Sequence, residues 1–337
     1  MTAEASSSNV LVTGGSGFLG GHLARRLLAD GLNVRLLVRN PDGLSAELAQ
    51  QCEIIHGDLT DRASLLRAVS DVMFVYHCAA NVKTWDKWEA YYEANVVGVR
   101  NLLHAVADSN PSLQRLIHVS SVDVYGYPES PSDELAETSG AGFGYGESKL
   151  QGEEFVRQFC QSKNIPFTIV RPANIIGPGS QFIERMGQEL KSGLMLKIDS
   201  GRANAGLIYV ENLLDYMVWA ANADAAVGEC YNLRDAYDVT WSEFVAVLRA
   251  AVGGRGLIIN LPFGLAMALA RLIQFIHQRL SLRGEPLLHP LLVNVFGRTC
   301  GHDASKIRAH SGQVSQVGFL QAMRESTLGL CKRPGTR

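Results

Sequence analysis

Tyr145 and Lys149 stand in the segment Tyr145-Gly146-Glu147-Ser148-Lys149, which continues as an amphipathic pattern to Cys160. Positions i and i+4 share one face of a helix, so this spacing sets an ammonium beside a phenol. A phenol titrates near ~10 and is a poor base at neutral pH, but an adjacent cation favours its phenolate. Such a pair can exchange a proton with a substrate oxygen. Upstream, the apolar, β-branched run Leu113 to Val119 ends in Ser120 and Ser121 and leads into Val122-Asp123-Val124-Tyr125-Gly126. A hydroxyl at such a strand end can hold the same oxygen by a hydrogen bond.

These groups need a scaffold that sets a helix face against a strand end, and the N-terminal residues outline it. Asn9 to Val12 reads as a strand that breaks into Thr13-Gly14-Gly15-Ser16-Gly17-Phe18-Leu19-Gly20, after which a helical period runs from Gly21 to Ala29. Such a turn can hold a pyrophosphate. Gly14 and Gly17 take the backbone angles of the turn, the N–H groups around Phe18 and Leu19 face the anion, and Gly20 lets the helix pack on the strand. A second strand, Asn33 to Val38, ends where a dinucleotide fold reads the adenosine ribose. Arg39 stands there instead of an acid, which favours the 2′-phosphate of NADP over the diol of NAD; the competing reading is a solvated loop arginine. NADP is thus the expected cofactor and NAD the alternative.

A brief helix from Leu44 to Gln50 leads to the strand Glu53 to Ile55 and to His56-Gly57-Asp58-Leu59. Asp58 is placed to accept from the adenine amino group, to cap the helix starting near Thr60, or to do both, with Leu59 on the same cofactor edge. Met73 to Cys78 runs into Ala79-Ala80-Asn81, whose small residues let the backbone lie against the cofactor ribose. Trp85 reads as a pocket wall and Trp88 and Tyr91 as packing between helices. Asn95 opens a helix through Val97 to Ala107.

Strands roughly 20 to 40 residues apart with helical patterns between them give the fold class: α/β, a doubly wound parallel Rossmann sheet with a smaller, partly interleaved C-terminal substrate domain. The expected division is 8–175 for the NADP-binding domain and 176–330 for the substrate region, with about 205–236 returning to the sheet. That return comprises Ile208 to Asn212, a helix over Leu213 to Ala221 and a strand Cys230 to Leu233. Thr240 and Glu243 form a loose capping pattern for a further helix.

With 31 Lys and Arg against 33 Asp and Glu, the net charge of −2 carries no nucleic-acid footprint. The six cysteines lie far apart without CxxC or paired-His spacing, so no metal is expected and the thiols read as reduced, in a cytoplasmic protein. Met1 to Ser8 reads as a frayed leader rather than a targeting signal. The apolar stretch Leu257 to His277 is interrupted by Pro262, Gly264, Arg271 and Gln274. It reads either as a helix resting on a membrane surface, peripheral rather than spanning, or as a lid over an apolar substrate pocket.

Together the glycine turn, Asp58, Ala79-Ala80, Asn95, Ser121, Tyr145 with Lys149, and Arg171-Pro172 resemble the extended short-chain dehydrogenase/reductase superfamily over roughly Val10 to Leu233. The resemblance implies Ser121, four residues before Tyr125 as in Ser-x-x-x-Tyr-Gly, as the catalytic serine in preference to Ser120. It implies proton exchange at Tyr145 while hydride passes to or from a nicotinamide, with Pro172 placing its carbonyl near the carboxamide. Asn95 resembles the asparagine that steadies the helix near the lysine, with plain helix capping as the alternative.

Within the superfamily, dehydratases resemble Thr-Asp-Glu where this chain has Ser121-Val122-Asp123. Epimerases usually carry an arginine where Ala205-Gly206-Leu207-Ile208 precede Tyr209, although Arg202 can still supply that contact. The chain looks more like the branch of hydroxysteroid dehydrogenases, dihydroflavonol reductases and ketoreductases, through Arg39, Tyr209-Val210-Glu211-Asn212 and the apolar 257–296 region. That implies an apolar secondary alcohol or ketone as substrate. The substrate-facing candidates are Asn81, Trp85, Asp123, Asn174 and Tyr209. A nucleotide-sugar epimerase is the alternative, a non-catalytic NADP-binding sensor ranks below it, and a homodimer is in keeping with the family.

Overall fold

A parallel sheet covered on both faces demands short, nearly continuous apolar strands joined by amphipathic crossovers, and the chain supplies them. This computed structural model describes residues 9–140, 144–280 and 282–330; the leader Met1 to Ser8, the middle of the Gly140 to Gly144 loop and Cys331 lie outside the described residues. In chain order, β1 (Asn9–Thr13), α1 (Phe18–Ala29), β2 (Asn33–Val38), α2 (Ala46–Gln51) and β3 (Glu53–His56) come first. Then come α3 (Arg62–Val69), β4 (Phe74–His77), α4 (Trp88–Tyr92), α5 (Gly98–Ser109), β5 (Arg115–Val119), α6 (Gly144–Lys163) and β6 (Phe167–Pro172). The remainder begins with β7 (Asn174–Ile176), α7 (Gln181–Ser192), β8 (Leu194–Ile198), β9 (Leu207–Tyr209), α8 (Val210–Asn222) and β10 (Cys230–Leu233). It ends with α9 (Trp241–Val252), β11 (Leu257–Leu261), α10 (Phe263–Arg279), α11 (Pro290–Gly297), α12 (Ser305–Ser311) and α13 (Phe319–Thr327).

Seven strands pair in the order β10-β6-β5-β4-β1-β2-β3, every pair parallel. The chain winds outward from β1 to β3 and then crosses back to β4 on the other side, so the carboxyl ends of β1 and β4 flank the crevice where such sheets bind ligands. Strand alternation sends Val10 and Val12 to one face with Leu23, Leu27, Leu213 and Met217, and Leu11 to the other with Leu102, Val106 and Val156. A third cluster around Ile183, Leu190, Trp241, Phe244 and Leu248 is the core of the smaller region.

β10 joins the sheet beside β6, as the Cys230 to Leu233 run implies. The other expected return differs. β9 pairs with β7 in a two-stranded ribbon outside the main sheet, because the backbone turns helical at Val210 and leaves only Leu207–Tyr209 extended. The cap of α9 is a full capping box: Thr240 Oγ1 accepts from Glu243 N at 3.2 Å and the Glu243 carboxylate accepts from Thr240 N at 2.8 Å. The stretch from Leu257 is not one helix. Its first five residues pair with β8, and Pro262, which has no N–H to give a ladder, ends the strand and precedes α10. Among the described residues no helix is long and apolar enough to cross a membrane.

Candidate active site

Gly14 adopts φ +74°, and a Cβ there would lie 2.8 Å from Ala79 N, so the β1 turn and the exit of β4 approach at a distance that only glycine permits. A Cβ on Gly20 would lie 2.3 Å from the Gly14 carbonyl oxygen, which lets α1 sit directly on its own turn. Gly17 is the N-cap of α1, and neither a side-chain cap nor an acid in the first turn competes for its N–H groups. Thr13 Oγ1 accepts from Ala79 N at 3.2 Å and bonds His77 Nδ1 at 2.8 Å, fixing Ala79 and Ala80 beside the turn. This cradle fits a dinucleotide pyrophosphate.

At the adenosine end, Arg39 keeps its side chain 83 % exposed, with Nε 3.8 Å from Asp58 Oδ2. Asp58 Oδ1 accepts from both the N–H and the hydroxyl of Thr60 at 2.8 Å. The helix cap itself is Asp61, so Asp58 pins the turn ahead of α3 and leaves Oδ2 facing Arg39. Leu59 packs its side chain where a Cβ on Gly98 would stand and gives its carbonyl to Asn101 Nδ2 at 2.9 Å.

The catalytic candidates converge at the exits of β5 and β6. Ser121 is extended and caps the 3-10 turn Val122–Tyr125, its oxygen accepting from Asp123 N at 3.1 Å. The Ser121 hydroxyl lies beside the Tyr145 phenol, whereas Ser120, on the opposite side of the strand, lies toward Glu153 with its buried hydroxyl unpartnered among the described residues. Burial pushes the Tyr145 phenol well above its ordinary value and the nearby Asp123 adds to this, with the Ser121 hydroxyl acting against them. The phenol is therefore a proton donor at neutral pH. Lys149, buried one turn along α6, donates from Nζ to Val119 O at 2.5 Å, which leaves two ammonium hydrogens for a ribose. Burial lowers it to about 8, opposed by Glu153.

Two devices hold α6 in register. Residues Glu93–Val97 form a π-helical turn joining α4 to α5, so Asn95 caps nothing. Its Oδ1 accepts from Asn81 N at 2.7 Å, and its Nδ2 donates to Asn81 O at 3.0 Å and to Ser148 Oγ at 2.9 Å. A Cβ on Gly152 would lie 2.4 Å from Asn95 O, so α6 packs backbone against that turn. On the far side, Arg171 at the end of β6 makes a two-pronged ion pair with Glu153 and donates to Tyr125 OH at 2.6 Å. Tyr125 OH donates in turn to Asn232 Oδ1 at 2.8 Å. The network joins α6, the Ser121 turn, β6 and β10, and places Pro172 at the sheet edge beside them. Sequence reading missed Glu153, although it lies one helical turn beyond Lys149 on the Tyr145 face.

The substrate candidates separate. Asp123 lies beside Tyr145 and Ser121, with Tyr127 OH donating to its Oδ1 at 3.1 Å. Trp85 contacts His277 of α10 and His289 before α11, at ring distances of 5.5 and 5.3 Å. Asn81 uses its side chain within its own loop, donating to Asp86 at 3.0 Å and accepting from Lys83 N at 3.2 Å. Asn174 Nδ2 donates to Ala205 O at 2.7 Å, and the Tyr209 phenol donates to the Glu325 carboxylate on α13. Tyr91 is buried as expected, its ring 6.5 Å from that of Tyr145, while Trp88 is 39 % exposed and contacts Tyr92. A second missed residue, Glu285, accepts from Thr84 at 2.6 Å and Arg185 at 2.7 Å and meets His289 at 3.0 Å, tying the Trp85 loop to α7 and α11.

Burial pushes Asp123 up to about 6 against hydrogen bonds from Tyr127 and Ser121. Its folded value exceeds the unfolded one, so its contribution to stability is full below pH ~4 and is lost as pH rises through about 6. Asp123→Asn is therefore expected to raise the melting temperature at pH 8 and leave it nearly unchanged at pH 4. The gain at pH 8 is on the order of 2–3 kcal/mol, read by calorimetry at the two pH values.

The sequence profile described as the NAD dependent epimerase/dehydratase family matches residues 10–233. A 4-hydroxy-2-methyl-3-oxo-4-farnesyl-3,4-dihydroquinoline-1-oxide ketoreductase of Stigmatella aurantiaca is 29% identical over 322 residues, covering 94% of this chain and 95% of that protein. A 3 beta-hydroxysteroid dehydrogenase/Delta 5-->4-isomerase of Mycobacterium tuberculosis is 31% identical over 335 residues, covering 94% and 88%. The fold is that of the UDP-glucuronic acid 4-epimerase of Bacillus cereus, solved with UDP-glucuronic acid and NAD, at TM-score 0.75 and 22% identity over 96% of this chain and 98% of that one. The profile match over residues 10–233 and the whole-length likeness to the mycobacterial protein show that the chain belongs to the NAD-dependent epimerase/dehydratase family of extended short-chain dehydrogenases/reductases.

Proposed function

We propose that this protein interconverts a ketone and a secondary alcohol on a largely apolar small molecule, using NADP(H). The observation that carries the reading is the half-buried Tyr145 phenol beside the buried Ser121 hydroxyl, with the buried Lys149 one turn along the same helix. The ketoreductase and hydroxysteroid dehydrogenase relatives, similar over nearly the whole chain, support it. The bound nicotinamide supplies or accepts the hydride. Ser121 holds the substrate oxygen through its hydroxyl. Tyr145 gives its phenolic proton to that oxygen in the reductive direction and takes it back in the oxidative one. Lys149 would hold the nicotinamide ribose, its charge favouring the phenolate left on Tyr145. Trp85, beneath α10 and α11, walls the substrate side with apolar surface.

Arg39 supports NADP over NAD, since its exposed guanidinium can turn from Asp58 to a 2′-phosphate. Arg39→Ser is expected to raise KM for NADPH by about tenfold or more, the worth of a charged hydrogen bond, and to change KM for NADH little. Cys52, Cys78, Cys160, Cys230 and Cys300 are free thiols, in keeping with a reducing, cytoplasmic compartment. The deciding assay follows oxidation of NADPH with steroid, flavonoid and β-keto acyl ketones, beside UDP-sugars monitored for epimerisation. Ketone-dependent oxidation supports the reading; turnover of a UDP-sugar with none of any ketone would assign the chain to the epimerases.

A further inference from the structure

α10 presents its apolar residues in the wrong direction for a helix of a water-soluble domain. Ala266, Ala270 and His277 pack inward, whereas Leu265, Leu269, Leu272, Phe275 and Ile276 recur at helical spacing on the outer face. Leu272 is 55 % exposed and Phe275 65 %, and Leu280, Leu282 and Leu287 extend the patch beyond the helix end. Contiguous exposed apolar surface of this kind marks an interaction site.

Charge identifies the occupant. From Leu257 to Gly284 the chain has no Asp or Glu, and Arg271, Arg279 and Arg283 are exposed, none of them in an ion pair among the described residues. A second copy laid on this face would set arginine against arginine, and the one carboxylate within the patch, Glu285, is already held by Arg185 and His289. An anionic lipid surface offers hydrocarbon to the leucines and phosphate to the arginines. We infer that α10 and the turn after it seat the protein on an anionic bilayer, lying in the interface and not crossing it. His277, on the inner side of the same helix, touches Trp85, so the seated face lies directly over the substrate wall and an apolar substrate can enter from the lipid. This last step rests on the function proposed above; the seating does not.

The test sediments the full chain with vesicles of phosphatidylcholine alone and with added phosphatidylglycerol. Binding is expected to be strong with phosphatidylglycerol, weak without it and reduced by salt. The double variant Leu272→Gln/Phe275→Gln should lose at least about tenfold in affinity, and Arg271→Gln/Arg279→Gln should lose the preference for phosphatidylglycerol. Both pairs are surface positions, so melting temperature and reduction of a short water-soluble ketone should stay at the parental level. Absence of binding to anionic vesicles, or binding indifferent to both variants, would overturn the inference while leaving the ketone assay intact. A concentration-dependent dimer broken by Leu272→Gln/Phe275→Gln would assign the face to a second copy instead.

Discussion

Replacing Tyr145 by Phe is expected to lower kcat for ketone reduction by roughly 10²–10⁴-fold, with the affinity for NADPH nearly unchanged. The substitution removes one oxygen from a half-buried ring whose centroid lies 6.5 Å from that of Tyr91, so the shape of the site is kept. What it removes is the phenol beside Ser121, and hence, on the proposed mechanism, the proton that reaches the substrate oxygen. Ser121 keeps its bond from Asp123 N and, on the proposed mechanism, its hold on the substrate oxygen, so the loss is expected on kcat more than on KM. Stopped-flow turnover and fluorescence titration of NADPH separate the two effects. Unchanged turnover in the variant would rule out Tyr145 as the proton donor, and absence of turnover in the parent with dinucleotide binding intact would fit a protein that binds the dinucleotide without using it.

Arg171→Met should cost about 3–5 kcal/mol of stability, because it leaves the Glu153 carboxylate buried without its main partner. Burial raises that carboxyl, and it is held below the ordinary carboxylate range only because Arg171 outweighs burial, with help from Arg157. The loss would also free Tyr125 OH from its charged donor and loosen α6 against β6. At roughly 2–4 °C per kcal/mol the melting temperature should fall by on the order of 10 °C. The double variant Arg171→Met/Glu153→Met should recover much of it, since no charge then stays unpaired.

The main sheet was legible because its strands are buried on both faces and punctuated by Gly, Asn and Asp, and the turn from Gly14 to Gly20 was legible because its spacing has a backbone reason. Tyr145 and Lys149 were legible by helical spacing, whereas the strand end offered both Ser120 and Ser121 and only the resemblance to the Ser-x-x-x-Tyr-Gly pattern chose Ser121. The stretch from Leu257 was harder, since its apolar run holds a strand and a helix and only pairing with β8 divides them. Asn81, Asn174 and Tyr209 were chosen by position along the chain, but each side chain is committed by a neighbour that sequence order does not show, Tyr209 to Glu325 most plainly. Glu285 escaped for the same reason: Thr84, Arg185 and His289 meet on it from three elements.

The direct measurement of the central claim supplies reduced NADP labelled with deuterium at the transferable nicotinamide position, together with an apolar ketone, and analyses the alcohol by mass spectrometry. The account predicts one deuterium on the carbinol carbon for each cofactor oxidised, and almost no product from Tyr145→Phe. Unlabelled alcohol, or label retained by the cofactor while a sugar nucleotide is epimerised, would contradict it.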